Sequence, residues 1–80
     1  MFNLFLVGDK EYEQEHVVKQ VGSIVKGVSA EDALKIYKKA QKNDEALCGK
    51  FPKESAEFFA EQLTRSTPII YATVKAEDAE

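Results

Sequence analysis

Cys48, His16 and a scatter of carboxylates are the groups in this sequence that could do chemistry. A reactive thiol needs exposure and a lowered pKa. Cys48 instead lies in "EALCGKF", near Leu47 and Phe51, with no CxxC partner and only Lys50 as a nearby cation. It reads as a small buried hydrophobe in a strand. His16 is the single histidine. A metal site would have to recruit distant carboxylates to it, and a Cys-His nucleophile would need it to meet Cys48 across the fold. Its helical neighbours Glu13 and Gln20 assign it to a surface or helix margin. Asp9, Glu11, Glu13, Glu15, Asp32, Asp44 and Glu45 lack the apolar setting that paired acid-base catalysis requires, and helix capping and solubility account for them. "VGDK" is a strand-end turn without the glycines or the Lys-Ser/Thr pair of a phosphate loop. No catalytic residue, metal ligand or cofactor is expected.

The bulk composition agrees. Eighty residues make one domain, because so short a chain cannot split into two packed cores. Any function sits on its surface or in a shallow groove. A formal charge of -3 and a pI near 5.2 argue against nucleic acid, whose phosphates are held by clustered Lys and Arg. Lys35, Lys38, Lys39 and Lys42 do form a local basic run, but Glu31 and Asp32 precede it by a turn, and it reads as a solvated helix face. One cysteine forms no internal disulfide, and no apolar run approaches the roughly 18 residues that cross a bilayer. The opening "MFNLFLVGDK" lacks the basic and small-residue marks of a signal peptide. A cytoplasmic setting with no membrane contact is the expectation.

The elements follow from periodicity. "FNLFLV", residues 2–7, is a β-prone run ended by Gly8 and Asp9. It is apolar at both parities, as a central strand is. Met1 stands one residue before it, so no N-terminal arm is expected. Over residues 11–26, Val17, Val21, Ile24 and Val25 recur at helical spacing, with Val18 beside them and acids at the start, and Gly27 is expected at C′. Gly22 inside this helix predicts close approach of a neighbouring element. "SAED" is a capping box led by Ser29. It opens a second helix with Ala33, Ile36, Tyr37 and Ala40 as its stripe, ending near Asn43.

Residues 45–51 alternate Ala46, Cys48 and Lys50 against Leu47, Gly49 and Phe51, a strand pattern. Pro52 then opens a third helix with Ala56, Phe59, Ala60 and Leu63 inside and Phe58 at the margin. "PIIYATV", residues 68–74, reads as a last strand with Pro68 at its first position. The order β-α-α-β-α-β predicts an α+β sandwich over residues 1–76, a three-stranded sheet with three helices on one face, and a frayed acidic tail at 77–80. Phe58, Phe59, Tyr37 and Tyr71 are more aromatic surface than one sheet face can hide. An exposed one would mark a groove for a peptide or partner protein. An exposed sheet edge leaves homodimerisation open.

The segment "ALKIYKKAQKNDEALCGKFPKESAE", residues 33–57, resembles the heart of the ClpS family, adaptors that hand substrates to AAA+ protease chaperones. The family's A-x-C-G-x-[FY]-x-x-E-x-A pattern is met by Ala46, Cys48, Gly49, Phe51, Glu54 and Ala56. "NLFLVGD" is similar to its first strand and "PIIYATV" to its last. The ribosomal stalk C-terminal domain shares this fold, and "VVKQVGSIVKGVSAEDALKI" is similar to its helical hairpin. That makes a translation-factor-binding domain, with the lysines of the second helix as its face, the alternative.

The ClpS resemblance implies a metal-free, non-enzymatic module bearing on proteolysis. It would bind a Clp chaperone N-domain or a peptide through the groove between the Gly8 turn and the second helix. Asp9, Lys10, Tyr37, Ala40 and Gln41 would line that groove, and Glu54 would be a docking contact. The family holds a substrate's free α-amino group with an Asn-Asp-Asp turn and a His. Here the turn reads Gly8, Asp9, Lys10, and Gln41 stands where the His would be. Two charge-assisted hydrogen bonds, each worth about 1.5–3 kcal/mol, are thereby lost. Lys10 also adds like charge beside an amine, so ordinary recognition of destabilising N-termini is not expected. Phe59 replaces a basic docking residue.

Overall fold

The computed structural model describes residues 1–76; the acidic tail expected at 77–80 lies outside the described residues. Strand β1 (Phe2–Val7) is central, paired antiparallel on one side with β2 (Glu45–Phe51) and on the other with β3 (Ala72–Ala76). Leu4 and Leu6 point to the helices and are fully buried. On the other face the Lys75 ammonium stands 5.1 Å from the centre of the Phe5 ring, a cation-π contact, and reaches Glu45 at 3.2 Å. Leu47 is exposed.

Strand β2 departs from the simple alternation predicted for it. Leu4 pairs with Gly49 while Phe5 pairs with Leu47, so Cys48 is an extra residue in a β-bulge. A bulge resets which residues face inward. Ala46 and Cys48 both enter the core, and beyond the bulge Lys50 turns out while Phe51 packs edge-on against Phe59, ring centres 4.9 Å apart.

Helix α1 (Gln14–Ile24) is shorter than residues 11–26 at both ends. At its start, Asp9 competes for the backbone: its Oδ1 accepts from the Glu11 N–H at 2.8 Å and its carbonyl accepts from the Tyr12 N–H at 3.3 Å, which holds residues 9–12 as a turn. At its end, Val25 takes an extended conformation and buries its side chain. Gly27, at φ 84°, therefore sits in the connection and not at C′. Helix α2 (Ala30–Asn43) begins where "SAED" predicts, with Ser29 Oγ accepting from the Asp32 N–H at 3.1 Å. Its C-cap is Asp44 in the left-handed region, φ 72°, a conformation Asp tolerates better than most residues. Pro52 is the N-cap of α3 (Lys53–Thr64), one position before the predicted first turn.

Helices α2 and α3 lie on the sheet, and α1 packs across α2 and α3. The predicted strand over residues 68–74 is corrected to Ala72–Ala76. The β-branched run before it is spent otherwise. Ile70 is fully buried, and its N–H donates to the Leu63 carbonyl at the end of α3, while the Tyr71 N–H donates to the Tyr12 hydroxyl. Pro68, joined to Thr67 by a cis peptide, lies in this loop and not at a strand's first residue.

The close approach predicted at Gly22 occurs at Gly8. A Cβ on Gly22 would meet Ala30 at 3.9 Å, an ordinary contact, whereas a Cβ on Gly8 would overlap the Ala40 carbonyl oxygen and sit 3.0 Å from its carbon. The two glycines should therefore respond with opposite signs in urea denaturation. Gly22→Ala is expected to stabilise by up to about 1 kcal/mol through helix propensity. Gly8→Ala should destabilise by about 1–3 kcal/mol, because backbone faces backbone and neither can yield. Equal shifts in the two midpoints would contradict this packing.

Candidate functional site

The turn after β1 is bolted to the C-terminal end of α2. The Gly8 N–H donates to the Asp44 carbonyl at 2.7 Å, and the missing Cβ lets this backbone lie on Ala40. Gln41 then brackets Asp9: its Oε1 accepts from the Asp9 N–H and its Nε2 donates to the Asp9 carbonyl, both at 2.8 Å. A glutamine amide matches a peptide unit donor for acceptor, so this bracket satisfies both groups at once.

Gly8, Asp9, Lys10, Ala40, Gln41 and Asp44 line a depression of about 350 Å³. Asp9, Lys10, Ala40 and Gln41 are thus brought together. Ala40 is almost wholly buried, and Tyr37, half-buried against the core one turn back, does not line the depression. Glu54 is exposed in the first turn of α3, away from this depression, and Phe58 one turn on is 55% exposed. Phe58 was expected at the helix margin; it projects into solvent with its edge toward Phe59, ring centres 6.0 Å apart. Lys35, Lys38, Lys39 and Lys42 are all exposed on α2.

The depression brings the Gln41 amide together with the acidic residues Asp9 and Asp44 and with Lys10. Gln41 spends its carbonyl and an amide N–H on Asp9, and Asp9 spends one carboxylate oxygen on Glu11. Lys10 is exposed at the rim. Among the described residues no cluster of three or more metal-ligating side chains forms, and no helix is long and apolar enough to cross a membrane.

Cys48 is 9% exposed, and burial pushes its thiol up to about 12, opposed in part by a hydrogen bond with the Leu6 backbone. His16 is turned elsewhere, its Nε2 3.0 Å from the Pro68 carbonyl, where the protonated nitrogen donates. The residue that sequence reasoning passed over is Tyr12. It falls inside the predicted first helix, yet its hydroxyl donates to the Val7 carbonyl at 2.6 Å and accepts from the Tyr71 N–H at 2.8 Å. Burial raises its pKa, opposed by the Tyr71 hydrogen bond and reinforced by the charge of Asp9. An isolated Tyr in a polar stretch carries no periodic signal that would have found it.

Together these features define a small α+β domain whose surface carries its chemistry. Comparison with curated proteins finds no match. The family described as ATP-dependent Clp protease adaptor protein ClpS matches residues 1–69. The chain belongs to the ClpS family.

A thiol held near 12 should be a poor nucleophile. At pH 8 iodoacetamide should alkylate the native protein about 10²–10³-fold more slowly than the urea-unfolded chain, because the thiolate fraction sets the rate. The raised pKa also fixes a sign for stability: folding favours the protonated thiol, so this contribution is intact below the ordinary value of 9.0 and is lost as pH rises from there toward about 12. Fast native alkylation would reopen a catalytic role for Cys48.

Proposed function

We propose that this protein is a non-enzymatic ClpS-type adaptor that works in the cytoplasm, docks on the N-domain of a Clp chaperone through a surface containing Glu54, and lacks ordinary recognition of destabilising N-termini. Family membership over residues 1–69 supports the adaptor role. The observation that carries the loss of N-terminal recognition is the Gln41 bracket. An incoming α-ammonium needs acceptors, and the Gln41 carbonyl, at the place of the family's histidine, already serves the Asp9 N–H. A competing amine would have to displace the solvent-exposed bonds between Gln41 and Asp9 beside the charge of Lys10, at about 0.5–1.5 kcal/mol for each.

The groove formed by Asp9, Lys10, Ala40 and Gln41, with Tyr37 one turn back on α2 and outside it, is then a surface for a peptide or protein segment recognised by something other than a free amino terminus. On α3, Glu54 and the exposed Phe58 lie four positions apart and share a helix face. An acid beside a projecting aromatic is a fitting composition for a partner contact.

Titration of the ¹⁵N-labelled protein separates the two halves of this reading. A Clp chaperone N-domain should give saturable shifts along α3, weakened about tenfold by Glu54→Lys. Peptides beginning with Phe or Leu should leave the Ala40 and Gln41 amides unmoved. Silence with the N-domain removes the adaptor reading; saturable peptide shifts at Ala40 and Gln41 remove the closed-groove reading.

A further inference from the structure

On the opposite side of the Asp9 turn from Gln41 lies a second cavity, about 210 Å³, lined by Asp9, Glu11, Tyr12, Glu13, His16, Pro68, Ile69 and Tyr71. It sits between the entry to α1 and the loop that precedes β3. We infer that it is a binding pocket for an arginine side chain presented by a basic peptide segment.

Three features of the cavity converge on that ligand. The first is charge: Asp9, Glu11 and Glu13 contribute carboxylates, and the lining holds no lysine or arginine. Glu13 is the N-cap residue of α1, yet its side chain accepts no capping hydrogen bond from the first turn. Asp9 engages Glu11 through one oxygen and leaves the other to an incoming donor. A guanidinium presents paired N–H groups that match such carboxylates.

The second is the aromatic wall. The Tyr12 and Tyr71 rings lie 6.5 Å apart at 27°. Ile69 and Tyr71 are each 48% exposed at the rim. Planar guanidinium stacks on tyrosine faces, and its carbon stem covers apolar surface. A compact, strongly hydrated ammonium would use this wall less well.

The third is rigidity. The His16 ring is tied to the Pro68 carbonyl at 3.0 Å, the Tyr71 N–H donates to Tyr12, and the Tyr71 carbonyl accepts from the Val7 N–H at 2.9 Å. Both walls are therefore held before a ligand arrives, which lowers the ordering cost of binding. This inference does not rest on the chaperone contact, which concerns α3.

An acetylated, amidated Leu-Arg-Leu tripeptide and its citrulline counterpart, the neutral isostere, test it without a free amine. On the full ¹⁵N-labelled chain the arginine peptide should give saturable shifts at Glu11, Tyr12, Glu13, His16, Ile69 and Tyr71, with affinity falling as salt is raised. The citrulline peptide should bind at least about tenfold more weakly. The variant carrying Glu11→Gln and Glu13→Gln, with its spectrum otherwise unchanged, should lose a similar factor. Absence of saturable shifts at about 10 mM peptide overturns the inference. So do equal affinities for the two peptides, or shifts confined to Ala40 and Gln41. Chaperone binding is read at different amides, so either proposal can fail alone.

Discussion

The amide of Gln41 closed on the backbone of Asp9 is the contact on which this structure turns. Four segments meet there: the end of β1, the entry to α1, the end of α2 and the start of β2. Each has polar backbone groups that must find partners away from the regular ladders. Gly8 gives its N–H to Asp44, Asp9 gives both its amide groups to Gln41, and the Asp9 side chain and carbonyl hold residues 9–12. The geometry is available only because Gly8 lacks a Cβ against Ala40 and because Asp44 accepts a left-handed conformation, turning the chain directly from α2 into β2. One short side chain at Gly8 would separate the turn from the helix, and the bracket would no longer reach.

The core is built to permit that approach. Ala33, Ala40, Ala46 and Ala56 are all fully or almost fully buried. Small residues bring the α2 and α3 backbones close to the sheet, and the larger Leu4, Leu6, Leu63 and Ile70 fill the remaining space. Cys48 belongs to this logic. In the bulge of β2 it is an extra inward residue with little room, and a thiol is about the largest apolar group short of a branched chain that fits such a gap. Gly49 follows it under the Phe51 ring, whose nearest atom would be 2.9 Å from an added Cβ. The Cys-Gly pair is thus a packing device.

The parts of the fold that were legible in sequence are those where one local rule acts unopposed. Ser29 caps α2 and no tertiary contact competes, so its start is readable; the limits of β2 are marked by Asp44 and Pro52. Errors arose where a longer-range partner outbid local preference. Ile70 looks like a strand residue but serves as a core plug bonded to the end of α3. Asp9 shortens α1 by holding its own backbone. Gly22 advertised a close approach that the structure makes at Gly8, because a glycine's neighbour across the fold leaves no mark beside it. At the site, Asp9 could be identified as the retained acid of a family pattern and Gln41 as a substitution within it. That they bond to one another across 32 positions could not, since nothing local encodes the reach of one side chain.

That mutual bond changes what the substitutions mean. Replacing a histidine with a glutamine could simply weaken an open pocket, leaving a groove that still admits an amine but holds it poorly. Here Gln41 closes on the turn itself and is part of the scaffold. The same closure fixes the far side of the turn, where Tyr12, pinned between Val7 and Tyr71, stands as a rigid wall beside carboxylates the fold has not used. The chain keeps the family's pattern over residues 1–69, and the reading we propose for this turn moves recognition to its other side.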